Sequence, residues 1–194
     1  IPASVTSIGE NAFGYCSGIQ SIELPSALTS IGDQAFYQCR ALESIDLSDT
    51  LTSIGDQAFY RCYALESIDL SDTLTSIGDQ AFYQCSALKS IHLSNTLTSI
   101  GDQAFYQCSA LESSIELPDT LTSLGFAAFG GCSAITSVTL PKNMASIPDA
   151  AFSRAVLEEI ELPPNLVTIG NSAFAASPLT SLEIPATVTS IGDY

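Results

Sequence analysis

Positive charge is nearly missing from this chain. Of its 194 residues only five are Lys or Arg, against 21 Asp or Glu, and the formal net charge is −16 at pH 7. DNA, RNA and anionic lipid all need clustered positive charge, so none is an expected partner. Histidine occurs once, as His92. A histidine-bearing triad could therefore sit only there, where no Ser or Cys nucleophile is singled out. No apolar run is long enough to span a bilayer, and no N-terminal signal segment is present. Zinc motifs need close pairs such as Cys-x-x-Cys, and none exists. No glycine-rich phosphate loop is found. Carboxylates abound, but nothing splits their environments as acid–base catalysis requires. The expectation is no enzyme, no cofactor, no metal site and no membrane insertion. Nearly half of the residues are apolar (46%), too many for the acidity to mean disorder.

What is present is repetition. Ala-Phe occurs eight times, with phenylalanines at 13, 36, 59, 82, 105, 129, 152 and 174. The steps are 23, 23, 23, 23, 24, 23 and 22 residues, and a constant period in this range marks a solenoid. Within one turn Leu42, Ile45, Leu47, Leu51, Ile54, Ala58, Phe59 and Cys62 are the recurrent apolar positions. Leu42-x-x-Ile45-x-Leu47 reads as a short strand with Ile45 and Leu47 inward. Leu51–Ile54 reads as a second extended segment. Gly55 would permit a sharp bend, and Asp56 would cap a helical turn through Ala58, Phe59 and Cys62. Such a helix is too short to be stable alone. Stacked turns, not single ones, bury the core.

The string Leu-x-x-Ile-x-Leu-(Pro/Ser)-x-x-Leu-x-x-Ile-Gly-x-x-Ala-Phe-x-x-Cys resembles the BspA-like, Treponema-type leucine-rich repeat. Leu24-Pro25, Leu117-Pro118, Leu140-Pro141, Leu162-Pro163 and Ile184-Pro185 match that family's strand-ending proline. The resemblance covers the whole chain. It implies an α/β repeat solenoid: a curved right-handed coil with a parallel concave β-sheet and short helical turns on its convex side. It also implies a surface or secreted protein of the adhesion type, so an extracellular or cell-surface location. Residues 1–194 form a single solenoid, with a partial turn 1–18, turns starting at 19, 42, 65, 88, 111, 135 and 157, and a partial turn 179–194. A start at Ile1-Pro2 and a stop at Asp193-Tyr194, both in mid-repeat, read as a fragment of a longer chain.

Departures from the pattern are few. Ser113-Ser114 adds one residue, which predicts a bulge. Phe126 replaces the Asp, and Pro148 replaces the Gly. Cys16, Cys39, Cys62, Cys85, Cys108 and Cys132 hold one position in successive turns, with Ala155 and Ser177 continuing the column. Small buried side chains with free thiols explain that column better than a disulfide ladder, because Ala and Ser also serve there.

The residue between the two inward strand positions should face outward, on the concave side. Turn by turn it is Glu23, Asp46, Asp69, His92, Glu116, Thr139, Glu161 and Glu183. A second column adds Glu43, Glu66, Lys89, Glu112 and Glu158. Neighbouring strands lie about 4.8 Å apart, and like charges in such a pair destabilise the sheet. A basic partner would relieve that repulsion, whereas a solvated face copied by duplication would merely tolerate it. Calcium wants six to eight wrapping oxygens, more than a flat strand face supplies. Lys89 and His92 interrupt the stripe, either as charge relief or as a pH-sensitive spot on the binding face.

Two further columns are visible. Tyr37, Tyr60, Tyr83 and Tyr106 follow the core Phe and should line the convex side, packing over the Phe layer or making a contact. Thr6, Thr29, Thr52, Thr75, Thr98, Thr122 and Thr189 form an array that an ice-binding surface could use. The leading reading is a binding module whose acidic face meets a basic protein surface or a host or matrix ligand. The alternative is a structural subunit, wedged into a larger complex by its ends or its tyrosines.

Overall fold

The structure, a computed structural model, describes residues 1–111 and 113–193. Glu112, expected in the second acidic column, lies outside them. The chain winds as a parallel β-solenoid of the leucine-rich-repeat type. Phe36, Phe59, Phe82, Phe105, Phe129 and Phe152 are fully buried, as are Leu42, Leu65, Leu88 and Leu111 in their own column. The phenyl rings stack in one file from Phe13 to Phe174, with adjacent rings within 9° of parallel.

Two ladders run along the coil axis. In the first, Ser21–Glu23, Ser44–Asp46 and Ser67–Asp69 pair in parallel. The second uses the segment foreseen at Leu51–Ile54. It joins Ser7–Ile8, Ser30–Ile31, Ser53–Ile54, Ser76–Ile77, Ser99–Ile100 and Ser123–Leu124 into six parallel strands. Two-residue strands hold because each repeats its neighbour's sequence in register. Around them, N–H groups reach back one coil: Thr52 to the Thr29 carbonyl, Gly55 to Ile31 and Glu66 to Glu43. The pairing of Ser113–Glu116 with Ile135–Thr139 is irregular, but the extra step falls on the strand opposite the insertion, between Ile135 and Ser137. Ile135 pairs with Ser113, but the next partner of Ser114 is Ser137.

The helical turns expected on the opposite side are not formed. Among the described residues there is no helix; residues 56–61 are consecutive tight turns. The reason lies in where the N–H groups go. Ala58, Tyr60 and Cys62 donate three residues back, to Gly55, Gln57 and Phe59. Gln57, Phe59 and Arg61, in between, donate forward to Asp79, Ala81 and Tyr83 of the next coil. An α-helix needs every N–H for its own i−4 carbonyl, and half are committed elsewhere. The alternation also requires left-handed backbone at two sites per coil, such as Gln57 (φ 56°) and Arg61 (φ 57°). That conformation costs a non-glycine residue about 1–2 kcal/mol.

Gly55 and Asp56 also act differently from the sequence reading. The backbone at Gly55 is not left-handed; Gly131 is the one described glycine with positive φ. Glycine is needed in this column because the preceding coil lies against it. A Cβ on Gly78 would come within 2.5–2.7 Å of Asp56 and the Gly55 carbonyl carbon. Asp56 caps no helix. Its Oδ1 accepts the backbone N–H of Asp79 in the next coil at 2.8 Å, and Asp33, Asp79 and Asp102 do the same one coil along. Gly78→Ala should therefore destabilise by about 1–3 kcal/mol through overpacking. Gly18→Ala, with nothing within 4 Å of the new Cβ, should stay within about 0.5 kcal/mol. Urea midpoints of the two variants check the contrast.

Pro148 shows the same rule from the other side. The six-stranded ladder stops at Ser123–Leu124, and a three-stranded one starts at Ser146–Ile147. Elsewhere the glycine N–H ties this corner to the coil before it, as from Gly78 to Ile54. Proline has no N–H to give. The ring file opens at that coil, from 5.1–5.2 Å between centroids to 5.8 Å and then 6.0 Å.

The cysteine column lies inside. All six thiols are free, and Cys39 to Cys132 are fully buried. Each of these five donates its S–H to a carbonyl of the preceding coil, as Cys62 does to Phe36 at 3.2 Å. Burial pushes the thiols of Cys62, Cys85 and Cys108 well above their usual range and that of Cys132 up to about 12.

Candidate functional site: an acidic strand face

In Ser44-Ile45-Asp46 the central isoleucine is buried and its neighbours are exposed. The pleat of a strand turns alternate side chains to opposite faces, so Asp46 must point out if Ile45 points in. The same holds for Asp69 beside Ile68. Register then sets Glu23 opposite Asp46 and Asp46 opposite Asp69. Among the described residues no side chain neutralises these three carboxylates. Like charges in directly opposed positions oppose the pairing by roughly 0.2–1 kcal/mol each.

The other expected members of the stripe lie outside this three-stranded ladder. Glu116 pairs with Thr139 in the separate two-stranded ladder. Glu161 and Glu183 are exposed, in segments outside any strand. Beyond Asp69 the first ladder shrinks to a single bridge between Ser67 and Ser90, so His92 lies outside the paired strands. Its Nε2 lies 4.0 Å from Asp72 Oδ1, with the ring 73% exposed. In the second column Lys89 Nζ meets Glu66 Oε2 at 2.6 Å. Gln20 Nε2 donates to Glu43 Oε1 at 3.5 Å. An exposed pair such as Lys89–Glu66 contributes under about 1 kcal/mol. Charge of opposite sign thus enters next to the triad but does not cover it.

The tyrosines form a second surface. Tyr37, Tyr60, Tyr83 and Tyr106 stack at 4.9, 4.8 and 5.2 Å between centroids, within 18° of parallel, and are half-buried. Arg61 lies over Tyr60 at 5.1 Å. The threonine hydroxyls are already engaged. Thr29, Thr52, Thr75, Thr98 and Thr122 each donate to the threonine carbonyl one coil back.

Sequence reasoning missed the glutamines. Gln34, Gln57, Gln80 and Gln103 join amide to amide at 3.0, 2.7 and 2.7 Å. Arg61, Gln84 and Gln107 make a second such chain, at 2.9 and 2.5 Å. Both chains occupy the left-handed positions of their coils. The signal was a polar residue fixed at 23-residue steps in a segment assigned to helix. Among the described residues no three His, Cys, Asp or Glu groups converge as metal ligands would, and no helix is long and apolar enough to cross a membrane.

Known proteins bear on this geometry. The family model described as "BspA type Leucine rich repeat region" matches in six copies, over residues 1–112 and 75–194. A leucine-rich repeat protein from Bacteroides ovatus superposes with a TM-score of 0.85 at 34% identity, over 89% of this chain and 48% of its own. The chain thus spans about half the length of that relative. The leucine-rich repeat protein of T. pallidum gives a TM-score of 0.72 at 28% identity, over 96% of this chain and 77% of its own. The pneumococcal vaccine antigen PcpA is 20% identical over 97% of this chain and 54% of its own. Its TM-score of 0.57 attests to the fold alone. No curated protein matches the chain.

Proposed function

Given that this chain belongs to the BspA-type leucine-rich repeat family, we propose that it is a non-enzymatic recognition module of a secreted or surface protein, binding a basic protein surface through its acidic strand face. One observation carries the reading: Glu23, Asp46 and Asp69 stand in register on adjacent strands, exposed and with their carboxylates in no ion pair among the described residues. A solenoid that only needed solubility could scatter its carboxylates. This one spends stability on aligning them, and a cationic surface laid along the row would return it. The surface setting is what membership of the BspA-type family implies.

Binding of an oligolysine peptide at low and high salt tests the site. Asp46→Lys with Asp69→Lys should weaken it by about tenfold or more. Glu158→Lys with Glu159→Lys changes the net charge equally and should cost far less. Equal losses in the two variants would mean that bulk charge binds the peptide and the row does not.

A second reading, a structural subunit docked through its tyrosine side, is favoured by the half-buried ring stack. It predicts that Tyr60→Lys with Tyr83→Lys, and not the aspartate reversals, abolishes co-purification with a partner.

A further inference from the structure

The second polar chain breaks off in the middle of the solenoid. Arg61 Nε donates to Gln84, and Gln84 Nε2 donates to Gln107. The next coil has Gly131 at this position, so the amide of Gln107 has no side chain to donate to. One coil further the column resumes with Arg154. Four of the five cations have partners: Arg40 with Gln38, Arg61 with Gln84, Lys89 with Glu66 and Lys142 with Asp119. The backbone N–H of Arg154 donates to Ala175, but its guanidinium has no hydrogen bond or ion pair among the described residues. An amide and a guanidinium without acceptors of their own therefore line the same groove, on either side of the coil that carries Gly131.

That groove, of about 420 Å³, lies in the turn segments, away from the strand face. The volume is at the lower end of the roughly 300–1,000 Å³ usual for ligand sites. Tyr63, 37% exposed, closes the opposite end. Arg40 of the preceding coil lies over its ring at 5.9 Å, and the other lining residues belong to the coils that follow. Ser86, Ser109 and Ser133 line the stretch between. They hold the position that Arg40 and Tyr63 fill in earlier coils, so their small size creates the depression. In a chain of net charge −16, no Asp or Glu lines this groove.

We infer that this groove binds a short acidic saccharide, its carboxylate held between Gln107 and Arg154 and a sugar ring against Tyr63. Each part has its chemistry. A guanidinium takes a carboxylate in a fixed two-donor geometry. An aromatic face packs the apolar side of a sugar. Serine hydroxyls both donate and accept, as sugar hydroxyls demand. The acidic strand face acts little here, because salt screens charge beyond about 8 Å.

Titration by NMR with a glucuronate-containing disaccharide, its neutral counterpart and acetate tests this on the full chain. The acidic disaccharide should saturate at millimolar concentration and bind about tenfold tighter than the neutral one. Arg154→Gln should erase that difference. Tyr63→Ala should weaken the disaccharide and leave acetate unchanged, and Ser109→Tyr should block the groove altogether. Tyr63 and Ser109 are exposed, and circular dichroism confirms that the variants fold. Equal binding of acidic and neutral sugars by the unmodified chain overturns the proposal. So does acetate binding as tightly as the disaccharide, or a Ser109→Tyr variant that binds normally.

Discussion

Phe82→Ala is expected to cost about 3–5 kcal/mol, the range for emptying the site of a buried ring. Phe82 is fully buried and stacks on both sides, 5.2 Å from Phe59 and 5.1 Å from Phe105. Neither neighbour can move in to fill the space, because each is held at the rise set by its own coil. Offset aromatic contacts add about 0.5–1.5 kcal/mol per pair to simple burial, and two pairs are lost. A solenoid has only nearest-neighbour interfaces to spread such damage. The two sides of the gap should therefore begin to unfold separately, which lowers the urea m-value as well as the midpoint. Phe13→Ala, at a ring only partly buried and stacked on one side, should cost markedly less. Equal midpoints for the two variants would refute the stacked file as the source of the stability.

The other large effect is alkaline unfolding. In the unfolded chain the thiols titrate near 9.0, whereas burial holds Cys132 up to about 12 and pushes Cys62, Cys85 and Cys108 well above the usual value. Between those limits the folded state retains protons that the unfolded state has lost, so stability must fall as pH rises. The contribution is complete below about pH 9 and gone above the folded pKa. At about 1.4 kcal/mol per pH unit, Cys132 alone accounts for roughly 4 kcal/mol across its window. Ala155 already occupies the cysteine position of its coil, fully buried. A variant with Cys62→Ala, Cys85→Ala and Cys108→Ala should thus still fold and should move the alkaline midpoint up by about one pH unit. Circular dichroism against pH measures it; overlaid curves would mean that other groups control the transition.

Legibility in the sequence follows the range of each interaction. Phe59, Ile45 and Leu51 could be placed because their periodicity reports burial directly, and the second ladder at Ser53–Ile54 came from the same count. The helix failed because its argument was local. Asp56 looks like a cap and Ala58–Cys62 like a helical turn only while the next coil is out of view. Gln57 and Phe59 donate to Asp79 and Ala81, partners 22 residues away that no window of one turn contains. Gly55 was read as a bend for the same reason, when its neighbour in the stack explains it. In the acidic row, strand alternation led to Glu23, Asp46 and Asp69. It could not tell that the ladder would thin at Ser90 and leave His92, Glu161 and Glu183 outside it. The Gln107–Gly131–Arg154 interruption was visible once coils were aligned, but only the structure put Tyr63 and the serines around it.

The two directions of hydrogen bonding between coils bear on how long such a protein can grow. In the coil that holds Phe59, three N–H groups outside the strands point forward to backbone carbonyls, from Gln57, Phe59 and Arg61, and three point back, from Glu43, Thr52 and Gly55. Peptide dipoles aligned head to tail accumulate along an α-helix and leave partial charges at its ends. Here the turn side and the ladder side oppose one another, and the axial moment largely cancels within every coil. Adding repeats builds up no electrostatic polarity, so an array of this kind can lengthen by duplication without penalty at its termini.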